Sequence, residues 1–209
     1  MRNLITLLAL ISSASVWAET QPEQPVPEEK EEVYLQTTTW GISAGTINFN
    51  PALAAREGVD ESAVHLDFVW HQQEDSFVYG GGITGILYSD NESFSVDVID
   101  GFGDHRRASS SASGFGLFGE IGYSFNWKPK SVHLGAMIGV EKIWSERGIS
   151  NCTDCPSENI NIDSGFYLKP HIKFITNSGF TFTISYKKFA GDDMEDAVFL
   201  TFGSTSDLF

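Results

Sequence analysis

The chain has 209 residues, a formal net charge of −15 at pH 7 and two cysteines. That length suits a single domain. An acidic chain repels phosphate backbones, so nucleic acid is not expected as a partner, and most of the charge serves surface solvation.

Residues 1–18 read as a secretory signal peptide. Arg2 gives a basic start, Leu4 to Ile11 an apolar core, and Val16-Trp17-Ala18 a small-residue cleavage site before Glu19. The apolar run is shorter than the ~20 residues a spanning helix needs, and no other stretch qualifies as a membrane helix. No cysteine follows the expected cut, which argues against a lipid-anchored form. Residues 19–34, rich in Pro, Glu and Gln, bury almost nothing and are expected to form a short disordered acidic tail.

From residue 35 the pattern becomes alternation with a period of two, the signature of strands whose successive side chains leave on opposite faces. Eight strands are expected. The first, about 35–48, shows Trp40, Ile42 and Ala44 on one face; the second, about 62–71, sets Val64, Leu66, Phe68 and Trp70 against His65, Asp67 and His71. The third, about 76–88, alternates Phe77, Tyr79, Ile83 and Leu87 with Gly80, Gly82 and Thr84. The fourth, about 114–126, sets Phe115, Leu117, Ile121, Tyr123 and Phe125 against Gly116, Glu120, Gly122 and Ser124.

The fifth, about 131–145, places Val132, Leu134, Ala136, Ile138, Val140 and Trp144 opposite His133, Gly135, Gly139 and Glu141. The sixth, about 164–175, places Phe166, Leu168, Pro170, Ile172 and Phe174 opposite Tyr167, Lys169, His171 and Lys173. Pro170 removes a ladder donor, and a bulge is expected there. The seventh, 179–188, is the cleanest: Phe180, Phe182, Ile184 and Tyr186 against Thr181, Thr183, Ser185 and Lys187. The eighth, about 197–203, carries Val198, Leu200 and Phe202, and residues 204–209 are expected as a C-terminal tail.

Connections after strands two, four and six are short (72–75, 127–130, 176–178), and those after one, three, five and seven are longer (49–61, 89–113, 146–163, 189–196). Short turns at one end and long loops at the other mark an outer-membrane barrel, with the short turns periplasmic. Residues 93–99 also alternate, but a ninth strand would make the count odd, so they are expected to extend the third strand or to form a hairpin above the barrel. Trp40, Trp70 and Trp127 then fall at the turn end, as an interfacial aromatic belt would. A soluble barrel of lipocalin type would turn the apolar faces inward. Against it, the other face is glycine-rich, which suits the cramped interior of eight strands and not an exposed surface.

This pattern resembles the small eight-stranded outer-membrane β-barrel proteins of Gram-negative bacteria, the OmpA/OmpX type, over about residues 35–203. The resemblance implies an all-β fold, an eight-stranded antiparallel up-and-down transmembrane β-barrel in the outer membrane. It also implies lipopolysaccharide and other outer-membrane lipids as surroundings, and the β-barrel assembly machinery as a partner. The terminal aromatic that this machinery reads would be Phe209, or the alternation at Val198, Leu200 and Phe202.

Cys152 and Cys155, in an exported loop without a second cysteine pair or a nearby His pair, are expected to form a disulfide rather than a metal or redox site. His65, Asp67, Glu120, His133, Glu141, Lys169, His171 and Lys173 are expected to form a polar network filling the lumen, with Lys187 also available to pair there. Asp104, His105 and Ser109 to Ser111 have the residue types of a hydrolase site but no motif that would fix its geometry. Asp90, Glu92, Asp97, Asp100 and Asp104, and Asp192, Asp193, Glu195 and Asp196, crowd two loops without calcium-loop spacing, and a solvated surface is expected. No metal or cofactor is expected. The function expected is that of a non-enzymatic outer-membrane barrel whose surface loops serve envelope structure, adhesion or recognition. A narrow channel and a lipid-modifying enzyme are the alternatives.

Overall fold

The computed structural model describes residues 36–208 apart from 100, 128–130, 151, 153 and 164, so the expected signal peptide and acidic tail lie outside the described residues. In chain order they form β1 (Gln36–Phe49), α1 (Pro51–Glu57), β2 (Val59–Glu74), β3 (Phe77–Asp90), β4 (Ser95–Ile99), β5 (His105–Ser109), β6 (Ser111–Trp127), β7 (Val132–Gly148), β8 (Ser157–Ile160), β9 (Gly165–Ile175), β10 (Phe180–Phe189) and β11 (Met194–Leu208).

Eight of these strands close a ring in the order β1, β2, β3, β6, β7, β9, β10, β11, and back to β1, every neighbour antiparallel. The chain is therefore an all-β, up-and-down, eight-stranded barrel. Closure gives each of the eight a neighbour on both sides, which is the condition for a sheet to survive where no water can satisfy its amides.

Alternation decides what faces where. Ile42 (64%), Phe115 (64%) and Phe166 (72%) stand exposed on the outer wall, whereas Ile47, Ile86, His65 and Lys187 are 0% exposed inside. From Phe115 to Phe125 the outward residues of β6 cover roughly 33 Å of strand, about 25 Å once a tilt near 40° is allowed. At the turn end an aromatic belt links Trp40 to Trp70 (6.0 Å between rings), Trp70 to Tyr79 (6.3 Å), and Phe77 to Tyr123 (5.7 Å).

Three sequence expectations are corrected, and an open choice between two is decided. The strands run further at the loop end, so the four long connections are shorter than the pattern implied; the fourth, 190–193, is no longer than the turn 176–179. Residues 204–208 are not a tail: β11 continues to Leu208, opposite Gln36, because small polar side chains there keep the backbone ladder without an apolar face to advertise it. Pro170 causes no bulge. The β9–β10 ladder skips Lys169 and Pro170 and resumes at Leu168 in unchanged register, so the missing donor costs a gap and not a shift. Of the two expectations for residues 93–99, the hairpin is found: β4 pairs with β5 in a separate two-stranded sheet.

The inner wall is filled, and its glycines are the residues that allow it. A Cβ at Gly139 would lie 2.5 Å from the Tyr167 ring, and one at Gly82 would lie 2.7 Å from the Phe118 ring. Gly119 faces outward, and the nearest atom to a Cβ there is 3.9 Å away. Gly139→Leu should therefore lower stability by about 1–3 kcal/mol or more through overpacking, while Gly119→Ala should leave it near the parent. Both are read from the temperature at which the fast-migrating unboiled band is lost on SDS gels. Equal behaviour of the two variants would refute the filled interior.

Candidate functional site: a filled lumen under a clamped loop end

The interior is layered along the barrel axis. At the loop end lies an apolar cluster of Ile47, Phe49, Ile86, Tyr88, Ile143, Phe189, Met194 and Phe199, roofed by Leu53 of α1. The helix is fixed locally: the Asn50 side chain accepts from the Ala52 amide at 2.8 Å, Pro51 opens the first turn, and Gly58 ends it in the left-handed region at φ 65°. This cluster was not expected from sequence. Its members share the inward parity of the lumen polar residues (Ile143 with Glu141, Phe199 with Thr201), and following that parity into the loops would have found them.

Below it lies a charged layer centred on Lys187. Its ammonium donates to Glu141 Oε2 at 2.7 Å, lies 3.8 Å from Asp67 Oδ2, and faces the rings of Phe118, Tyr167 and Phe199 at 4.7, 4.8 and 4.9 Å. Cation–π contact supplements the two carboxylates around this fully buried ammonium. His65 Nε2 lies 3.0 Å from Asp67, 3.1 Å from Glu141 and 2.7 Å from the Thr84 hydroxyl, which also donates to Asp67. His65, Asp67 and Glu141 have the donor set of a metal site. The Lys187 ammonium already supplies the positive charge between those two carboxylates, so the arrangement reads as an ion-pair cluster.

Glu120 heads a second group, accepting from Lys169 at 2.5 Å and Tyr167 at 2.8 Å, with His71 Nε2 at 2.5 Å. Further toward the turn end the groups grow sparser. His171 Nε2 lies 3.4 Å from the Ser124 hydroxyl, and Lys173 donates to Gln73 Oε1 at 3.5 Å; His133, also buried, is the cross-strand neighbour of Lys173. All eight lumen residues named from sequence are thus buried inside the ring. They fall into separate groups, to which Lys187, His71, Tyr167, Thr84 and Gln73 are integral.

A further group that the sequence did not announce lies above the plug. Arg147, 2% exposed, donates from Nε to Asp90 at 2.7 Å, from Nη2 to the carbonyls of Glu57 (2.8 Å) and Gly58 (3.1 Å), and from Nη1 to Glu158 at 3.5 Å. One side chain thus holds α1, the end of β3 and β8 together. Asp193 extends the clamp, accepting from the Asp163 amide at 2.8 Å through its carboxylate and from the Asn50 amide at 2.9 Å through its carbonyl. Several of the crowded loop carboxylates are therefore loop ties and not merely a solvated surface.

Cys152 and Cys155 are bonded, with 5.3 Å between Cα atoms. The pair is no free loop tip: half-buried Cys152 packs on Ile149, Val98 and Ala108, seating the third loop against the β4–β5 hairpin. The hydrolase residue types are not assembled. His105 and Ser109 stand at opposite ends of β5, roughly 13 Å apart at strand spacing, and the Ser109 hydroxyl is bonded to Ser95 at 2.8 Å.

Together these features define a narrow barrel with an apolar outer belt, a filled interior and a tied loop end. No protein-family model matches the chain, and no curated protein does. Among solved structures it is similar to the attachment invasion locus protein Ail of Yersinia pestis, in complex with the heparin analogue sucrose octasulfate, at 11% identity and TM-score 0.45, covering 83% of this chain and 99% of that one. It is also similar to Neisserial surface protein A, at 6% identity and TM-score 0.48, covering 82% and 97%. The barrel itself is read from the closed register of this chain's own strands.

Lys187→Met leaves two buried carboxylates facing each other and should destabilise by about 3–5 kcal/mol. Lys188→Met, one residue on and facing outward, should stay near the parent in urea or thermal unfolding. Similar midpoints for the two variants would mean that the layer is hydrated. The disulfide closes a sequence separation of only 3, so it constrains the unfolded chain by less than the ~3 kcal/mol of a 15-residue loop. Cys152→Ser/Cys155→Ser should keep the unboiled gel shift yet become more sensitive to proteolysis in the third loop.

Proposed function

We propose that this chain is a non-enzymatic outer-membrane β-barrel protein whose clamped loop end is a preformed surface for envelope structure, adhesion or recognition. The carrying observation is the pairing of an apolar plug with a buried arginine above it. The plug fills the loop-end half of the lumen, and Arg147 ties together the loops that cover it. A surface pinned in this way presents its residues without the ordering entropy that free loops lose on binding.

The outer wall supports the membrane setting. Its band of large apolar side chains is far more extensive than the few hundred Å² a soluble monomer exposes, and its height matches a bilayer core. Export by residues 1–18, insertion by the β-barrel assembly machinery and contact with lipopolysaccharide belong to the same reading, with the loop end outward and the short turns periplasmic. A conducting pore is disfavoured because packed side chains occupy the section at Phe49, Tyr88 and Phe199.

An epitope inserted at Phe102, at the exposed tip of the β4–β5 hairpin, should be labelled on intact Gram-negative cells. One inserted at Asn177 should be labelled only after permeabilisation. The reverse pattern would overturn the orientation, and stepwise single-channel conductance from the purified barrel would restore the channel reading.

A further inference from the structure

The lumen charges balance in number but not in position. Lys169, Lys173 and Lys187 face Asp67, Glu120 and Glu141, yet Lys187 is held between two carboxylates in the middle layer and Glu120 is taken by Lys169, His71 and Tyr167. Lys173 is left over. It is 8% exposed, no carboxylate lies within ion-pair distance among the described residues, and its hydrogen bond to Gln73 is a long one at 3.5 Å.

Lys173 borders a chamber of about 40 Å³ just below the charged layer. At roughly 10–15 Å³ per water-sized sphere, that is room for about three such spheres. The chamber is shared by His171, Ser124, Thr181, Thr183 and Ser185; no carboxylate is among its described lining residues, and Glu120, the partner of Lys169 on its wall, is already engaged by Lys169, His71 and Tyr167. His171, 8% exposed, has its Nδ1 buried with no hydrogen-bond partner, while its Nε2 faces the Ser124 hydroxyl. Thr183 is the cross-strand neighbour of Lys173 and adds a hydroxyl. Ser124 also lines a wider cavity of about 710 Å³ at the turn end, beside Asp75, Asn126 and Thr205.

We propose that this chamber is a binding site for a small monovalent inorganic anion of chloride size, held by the Lys173 ammonium and the hydroxyls that line the chamber with it. A buried ammonium without a counter-charge is strongly destabilising, and an anion supplies the missing charge where the chain does not. The surrounding hydroxyls donate to it without adding negative charge. Large organic anions are excluded by volume.

The test uses the purified full barrel in a zwitterionic detergent at constant ionic strength, exchanging sodium gluconate for sodium chloride. Chloride should raise the melting temperature saturably, by about 3–5 °C when it reaches roughly ten times its dissociation constant. It should also show excess chloride NMR line width that bromide competes away. Lys173→Met should abolish both effects, whereas Lys188→Met on the outer wall should keep both. If Lys173→Met does not fold, the bromide-competed line width of the parent decides alone. Equal melting temperatures in the two salts, or no competed line width in the parent, would overturn the site.

Discussion

The closed ring of backbone hydrogen bonds is the constraint on which the rest of this molecule depends. Eight strands close at a radius that side chains can fill, so each residue pointing inward must find a partner within the ring. The chain meets this demand in different ways along the axis. Aliphatic and aromatic groups interlock at the loop end, and an ammonium among carboxylates and rings holds the middle. Hydroxyls and imidazoles border the more open turn end. Glycines such as Gly82 and Gly139 are the counterpart of those large groups, since each lies where a ring from a neighbouring strand needs the space.

Much of this architecture was legible because a period of two is a local property of sequence. The outward apolar residues of β6 and β10 and the inward positions of His65, Glu120 and Glu141 follow from parity alone. Which inward group meets which is a different matter. Lys187 and Glu141 come from strands separated in the ring by β9, and their meeting depends on barrel shear and on how far a lysine reaches. Arg147 was invisible for a similar reason: its partners Asp90, Glu57 and Glu158 come from the end of β3, from α1 and from β8. The end of β11 was missed because Gly203 to Ser206 offer no apolar face, and only pairing with β1 makes them a strand.

The two ends of the lumen also differ in what a single change would do. The plug and the ion-pair layer share Tyr167 and Phe199, so apolar and charged packing are not separable there. The turn end has cavities and long hydrogen bonds and would absorb substitutions more easily. Conformational freedom inside the barrel is thus concentrated away from the surface that the loops build.

The pairing of β1 with β11 has a consequence for the order of assembly. The Thr39–Thr205 hydrogen bond spans 166 positions, so the last seam joins opposite ends of the described chain. Contacts of such sequence separation form late, because the loss of chain entropy precedes any compensating contact. Hairpins between consecutive strands can form early, but the seam waits for β11. Until then both terminal strands have bare edges that must be shielded from other chains.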